Sequence, residues 1–202
     1  MSTVALILLV AYALVTIGWR AWLQRRWTGD AGLRAAPRTR AEWVAGTGLV
    51  LGAVGVYAAP ALDLAGSLGT AEAFERPLVW IAGIACFALG FWLTVRAQLD
   101  MGESWRIGVD AGEVTALVTT GVFRNVRNPI FSGMVLISIA VALIVPNAVA
   151  LAGVVLLAIA LEIHVRYVEE PHLLAVHGDR YRRYASSAGR FVPRVGRWER
   201  AR

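Results

Sequence analysis

From Ile130 to Val165 the chain carries only two ionisable side chains, Glu162 and His164, and the turn signal Pro146-Asn147 interrupts the run near its middle. A segment so poor in charge, placed in hydrocarbon, satisfies its backbone polar groups only as helix, because no water is there to do so. The turn divides it into two arms. A chain that leaves at Ile130 and returns at Val165 comes back to the side it started from. Polar blocks flank the stretch at both ends: Gly121 to Gly133 reads GVFRNVRNPIFSG, and Arg166 to Pro193 is rich in arginine and carboxylates. The hairpin therefore assembles one polar site from two distant segments on one side of a membrane.

The rest of the chain fits that reading. Its hydrophobic fraction of 57% exceeds the roughly 45–50% usual for globular domains. Spanning roughly 30 Å of hydrocarbon takes about 20 residues at about 1.5 Å each, and Val4 to Leu23, Trp43 to Leu62 and Leu78 to Leu99 satisfy this. Ile130 to Val145 falls short of that length and Ala148 to Tyr167 meets it. The expected fold is all-α: a polytopic integral membrane bundle of about five transmembrane helices, forming one domain over residues 1–202, with three spans in 1–99 and the hairpin in 100–202. The first run is read as a retained span, because no basic region precedes it and Arg25-Arg26-Trp27 follows in place of a small-residue cleavage site. The lone Cys86 excludes an intramolecular disulfide. Gly48 and Gly52, with Gly55 nearby, permit close helix contact.

Charge sets an orientation. Every basic residue is an arginine, distributed around the spans, so the net charge of +6 reflects membrane topology and no nucleic-acid partner is expected. Arg25, Arg26, Arg34, Arg38 and Arg40 stand against Asp30, whereas Asp63, Glu72 and Glu75 stand against one arginine. The first of these segments should face the cytoplasm, in a multi-pass protein of the cell (plasma) membrane with its N-terminus outside and both polar blocks inside. Glu169 to Arg202 is too charged to span. Leu173, Leu174, Val176 and Tyr181 predict an amphipathic helix there, on the cytoplasmic surface.

Several groups in the two blocks could carry chemistry. Glu162 and Arg166 are four apart on one helix face, with Glu169 and Glu170 on the next turn. Ionisable groups near the end of a span face protein or water. Arg124, Arg127 and Asn128 supply donors, Pro129 stiffens the start of the next helix, and Phe123 and Phe131 add aromatic faces. His164, His172 and His177 lack carboxylate or cysteine partners at ligand spacing, so no metal is expected. Arg180, Arg182 and Arg183 suit anionic lipid headgroups.

The run Ala116-Leu117-Val118-Thr119-Thr120-Gly121-Val122-Phe123, then Arg127-Asn128-Pro129-Ile130-Phe131, then Glu169-Glu170, Leu173, Gly178, Tyr181, Tyr184, Phe191 and Pro193, resembles the isoprenylcysteine carboxyl methyltransferase family and its relatives among phospholipid methyltransferases. The resemblance covers about the second half of the chain. It implies a membrane enzyme that binds S-adenosylmethionine, releases S-adenosylhomocysteine, and admits a lipophilic or amphipathic acceptor from the bilayer. By that resemblance Ala116, Leu117, Val118, Phe123, Arg127, Asn128, Pro129 and Phe131 line the cofactor pocket. Glu169 accepts hydrogen bonds from cofactor hydroxyl or amino groups, and Arg166 and Glu170 serve the acceptor side. Where the family pattern has two histidines and a tyrosine, this chain has Thr115, Asn128 and Phe131, so no role can rest on a protonated imidazole there. The acceptor is left open among carboxylate, thiol and amine. Two rival readings are a nicotinamide-dependent membrane reductase, with Arg124 or Arg127 on the NADPH phosphate, and a non-enzymatic membrane protein that retains the fold.

Overall fold

The structure is a computed structural model that describes residues 1–32, 39–68, 76–107 and 116–199. Arg34, Arg38, Glu72, Glu75 and Thr115, used in the charge and motif readings, lie outside the described residues. Six helices organise the chain: α1 (Ser2–Thr28), α2 (Arg40–Leu64), α3 (Pro77–Met101), α4 (Pro129–Ile144), α5 (Ala148–His164) and α6 (Glu170–Ser187). The expected all-α class holds. Among the described residues the extended pairing is a single bridge, Val126 to Gly189.

Four helices are long and apolar enough to cross a membrane: α1, α2, α3 with its short extension to Ser104, and the helical run Ala148–Ser187. The fifth expected span is α4, whose 16 residues reach about 24 Å at about 1.5 Å per residue, short of a full crossing. Side chains such as Ile7, Leu51, Ile81 and Val155 stand exposed on the bundle's outer faces. Lipid is the solvent that tolerates so much outward apolar surface. The chain is thus a multi-pass membrane protein.

The helices pack as two antiparallel pairs, α3 on α4 and α2 on α5. Gly90 and Gly133 meet at the first crossing. A Cβ on Gly133 would lie 2.7 Å from the Gly90 carbonyl and 2.2 Å from Thr94 Oγ1, so the backbones touch directly. At the second crossing Gly48 faces Ala160, Gly52 faces Leu157 and Gly55 faces Gly153, which is the packing role expected of these glycines. Leu9, Val56, Phe87, Ile137, Ala140 and Val141 form the core between the pairs. The α4–α5 turn falls at Pro146-Asn147 as expected. Asn147 caps α5 by accepting from Ala150 N at 2.9 Å and donates to the Ala59 carbonyl at 3.1 Å, beside Pro60 of α2.

Two departures from regular helix occur where the cavity forms. α1 widens to a π-turn over Leu14–Trp19, and α5 joins α6 through a second π-turn, Val165–Glu169. Such turns re-aim side chains relative to a regular helix. α6 then bends at Gly178, whose φ of 51° is a backbone state that glycine adopts without a Cβ penalty. The amphipathic pattern expected here has its apolar side packed within the protein. Leu173 and Leu174 pack into a cluster with Leu117, Tyr181, Tyr184, Ala185 and Trp198, because the chain beyond α6 folds back over it. That strap is tied down by Gly189 N to Asn125 O (3.0 Å), Arg127 N to Gly189 O (2.8 Å), Asn128 N to Arg190 O (3.1 Å) and Ser132 Oγ to Phe191 O (2.6 Å).

Candidate active site

The ends of α1, α3 and α5 converge on one side of the bundle, and the polar blocks meet there. Arg20 of α1 is fully buried between the rings of Trp27 (5.2 Å) and Trp105 (4.6 Å) and donates to the Gly102 carbonyl. Gln24 Nε2 donates to the Glu103 carbonyl at 2.6 Å. These contacts fix the segment after α3 against α1, and Trp105 becomes a wall of the cavity behind it.

That cavity has a volume of about 710 Å³, inside the roughly 300–1,000 Å³ range of small-molecule sites. Ala116, Leu117, Val118, Phe123, Arg127, Asn128, Pro129, Phe131 and Glu169 all line it, so the two distant blocks share one space. The three N-terminal helices contribute more than hydrophobic bulk. Tyr12, Thr16 and Ile17 of α1, Glu42, Gly46, Leu49, Val50 and Ala53 of α2, and Thr94, Gln98 and Met101 of α3 also line the cavity. The π-turn of α1 is part of this: Gln98 Nε2 donates to the Thr16 carbonyl at 2.9 Å, and the Tyr12 hydroxyl sits 3.3 Å from Thr94 Oγ1. Single polar residues inside spans were the available sequence signal for these walls.

The two adjacent carboxylates behave differently. Glu170 is buried, with 7% of its side chain exposed. Arg127 Nη2 donates to its Oε1 at 2.7 Å, Arg190 Nε to the same oxygen at 2.9 Å, and Arg190 Nη2 to Oε2 at 3.0 Å. Glu170 in turn holds the Arg190 guanidinium pKa above its ordinary value. Arg127 also gives Nη1 to the carbonyls of Ala185 (2.9 Å) and Ala188 (2.7 Å) and Nη2 to that of Gly196 (3.1 Å). This arginine–carboxylate–arginine group locks the strap to the start of α4.

Glu169, one residue earlier on the π-turn, faces the cavity with 26% of its side chain exposed. The imidazole Nε2 of His164 stands 3.8 Å away, and among the described residues no group donates a hydrogen bond to the Glu169 carboxylate. His164 also packs edge-on against Phe131, with ring centroids 5.8 Å apart. A carboxylate with open lone pairs, in a cavity also lined by Phe123, Phe131 and Trp105, suits a ligand that offers hydroxyl or amino donors and a cationic centre.

Arg166 is elsewhere. It is half-exposed, pairs with Glu162, and is not among the lining residues. Glu170 likewise lies behind the wall. Arg190, which sequence reasoning did not single out, completes the support, and Tyr181, Tyr184, His164 and His172 add to the lining. Among the described residues no cluster of three His, Cys, Asp or Glu side chains could hold a metal ion.

Comparison with known proteins fits this architecture. The sequence profile of the phospholipid methyltransferase family matches residues 78–180, which is half of the chain and holds the first polar block and the first half of the second. Among solved structures, that of a eukaryotic intramembrane Ras methyltransferase, isoprenylcysteine carboxyl methyltransferase, superimposes with a TM-score of 0.56 at 22% identity. The alignment covers 81% of this chain and 56% of that one, a likeness of fold. No curated protein matches significantly.

Proposed function

We propose that the chain, which belongs to the phospholipid methyltransferase family of membrane methyltransferases, uses S-adenosylmethionine to methylate a lipophilic or amphipathic acceptor reached from the bilayer. The observation that carries the reading is Glu169: a carboxylate facing a cavity of about 710 Å³ with no hydrogen-bond donor of its own among the described residues. S-adenosylmethionine, when bound, supplies an electrophilic methyl on a sulfonium centre.

The protein's own work is binding, alignment and exclusion of water. Glu169 accepts hydrogen bonds from hydroxyl or amino groups of the cofactor, while Phe123 and Phe131 present ring faces that favour a cation. Ala116, Leu117, Val118, Asn128 and Pro129 shape the pocket around it. Methyl transfer is an in-line displacement, so fixing donor and acceptor at the reacting distance supplies much of the acceleration. The apolar walls from α1 and α2, including Ile17, Leu49 and Val50, suit the hydrocarbon part of an acceptor and keep competing water out. Glu170 acts in this reading as a positioning residue through Arg127, and Arg166 serves from outside the cavity. Carboxylate, thiol and amine acceptors all fit such a site. The protein is placed in the plasma membrane, with its active side assigned to the cytoplasm on the arginine excess of the first loop.

The deciding measurement is isothermal titration of the detergent-purified protein with S-adenosylhomocysteine. Saturable binding, weakened at least tenfold (about 1.4 kcal/mol) by Glu169→Ala, is expected. Absence of binding in folded protein, or preferential binding of NADPH, would overturn the reading.

A further inference from the structure

A second, shallower cavity of about 360 Å³ adjoins the first, and Tyr184 stands in the walls of both. Its lining combines Arg124, Arg180 and Arg183 with Thr119, Ser187 and Tyr184, and no carboxylate is among them. The fold brings these arginines together from separate elements. Arg124 ends the 3-10 turn Gly121–Arg124, which the Val122 N–H ties to Asp100 Oδ2 at 2.9 Å, at the end of α3. Arg180 and Arg183 lie three apart on α6, hence on one face. The Tyr184 hydroxyl fixes that face by donating to the Phe123 carbonyl at 2.7 Å.

Partners separate these arginines from their neighbour. Arg182 turns elsewhere and pairs with Asp179 at 3.2 Å. Among the described residues no carboxylate lies within ion-pair distance of Arg124, Arg180 or Arg183, and the Thr119 hydroxyl has no hydrogen bond. Three guanidinium groups around one hollow repel one another, and an anion between them reverses that term. Guanidinium forks match the geometry of phosphate oxygens in particular. Exposed Trp22, Trp27 and Trp43 lie at the same end of the bundle, which marks it as the level of lipid headgroups.

We propose that this hollow binds the phosphate of an anionic membrane lipid, at a site distinct from the methyl-transfer cavity. Tyr184 is then the single side chain shared by a bound headgroup and the reacting space. The assignment does not depend on which acceptor is methylated, or on turnover at all.

The test is native mass spectrometry of the whole protein in neutral detergent, titrated with phosphatidylglycerol or phosphatidylcholine. The wild type is expected to retain phosphatidylglycerol preferentially. Each of Arg124→Gln, Arg180→Gln and Arg183→Gln should weaken retention about fivefold, as removal of one juxtamembrane cation does. Arg182→Gln should leave it unchanged. Arg124→Gln, on a surface turn, is measured alone so that the result does not hang on the folding of a triple variant, and gel filtration reports folding. Equal retention of the two lipids, or unchanged phosphatidylglycerol retention in the folded variants, would overturn the site. If millimolar inorganic phosphate displaces the lipid completely, the hollow is a free-anion site and the lipid assignment fails.

Discussion

Arg127 has 2% of its side chain exposed and gives hydrogen bonds to Glu170, Ala185, Ala188 and Gly196, whereas Arg166 has 51% exposed and meets Glu162. Breaking a buried pair by removing one partner leaves an uncompensated charge, at about 3–5 kcal/mol. Arg127→Met should therefore lower the thermal midpoint sharply in detergent. Arg166→Ala should change stability by less than about 1 kcal/mol, as exposed pairs do. Equal midpoints for the two variants would remove Arg127 from its structural role. The adjacent carboxylates should separate in the same way: Glu170→Gln lowers stability first, while Glu169→Gln weakens S-adenosylhomocysteine binding with the thermal midpoint nearly unchanged. Thermal scans and titrations on both proteins check this, and a Glu169→Gln protein that melts early would contradict it. The sequence made Arg127, Asn128 and Glu169 legible because they sit in a spaced motif. Arg190 was not legible, because its partner Glu170 lies 20 residues earlier across a bent helix and no periodicity links them.

The hydrophobic runs announced the helices, and the glycines announced how closely α2 and α5 meet. Placing a leucine at Gly133 would drive side-chain atoms into Thr94 and the Gly90 carbonyl. Overpacking of this kind costs about 1–3 kcal/mol or more. Gly133→Leu should accordingly lower the thermal midpoint, whereas Gly18→Ala, whose added Cβ meets nothing within 4 Å, should leave it level or slightly higher. A midpoint unaltered by Gly133→Leu would show that α3 and α4 do not cross as described. Two element-scale features were not legible. A π-turn differs from an α-turn by one residue of backbone pairing, so the opposite facing of Glu169 and Glu170 left no pattern in residue types. An apolar helix face shows that something covers it but not what, and α6 is covered by Leu117, Trp198 and the strap.

At the scale of the molecule, ligand and fold are linked. A compound that binds the folded protein alone stabilises it by about 2.7 kcal/mol at a hundredfold excess over its dissociation constant. Saturating S-adenosylhomocysteine should thus raise the thermal midpoint of the wild type and leave that of Glu169→Ala near its unliganded value. Differential scanning fluorimetry checks this, and an equal rise in both proteins would point to a ligand seated elsewhere. The all-helical class and the meeting of the two polar blocks followed from the uncharged hairpin and its turn. The inward contribution of α1 and α3 did not, because an isolated Thr16 or Gln98 in a span does not reveal its partner. The strap from Ala188 to Gly196 carries one more consequence, for biosynthesis. A ribosome makes Arg127 long before it makes Glu170, Ala188 and Gly196, so while the hairpin is inserting, the arginine at its mouth has none of its final acceptors. Arg127 gains those acceptors only as that late segment emerges and docks, which makes completion of its support a step that follows synthesis of the hairpin.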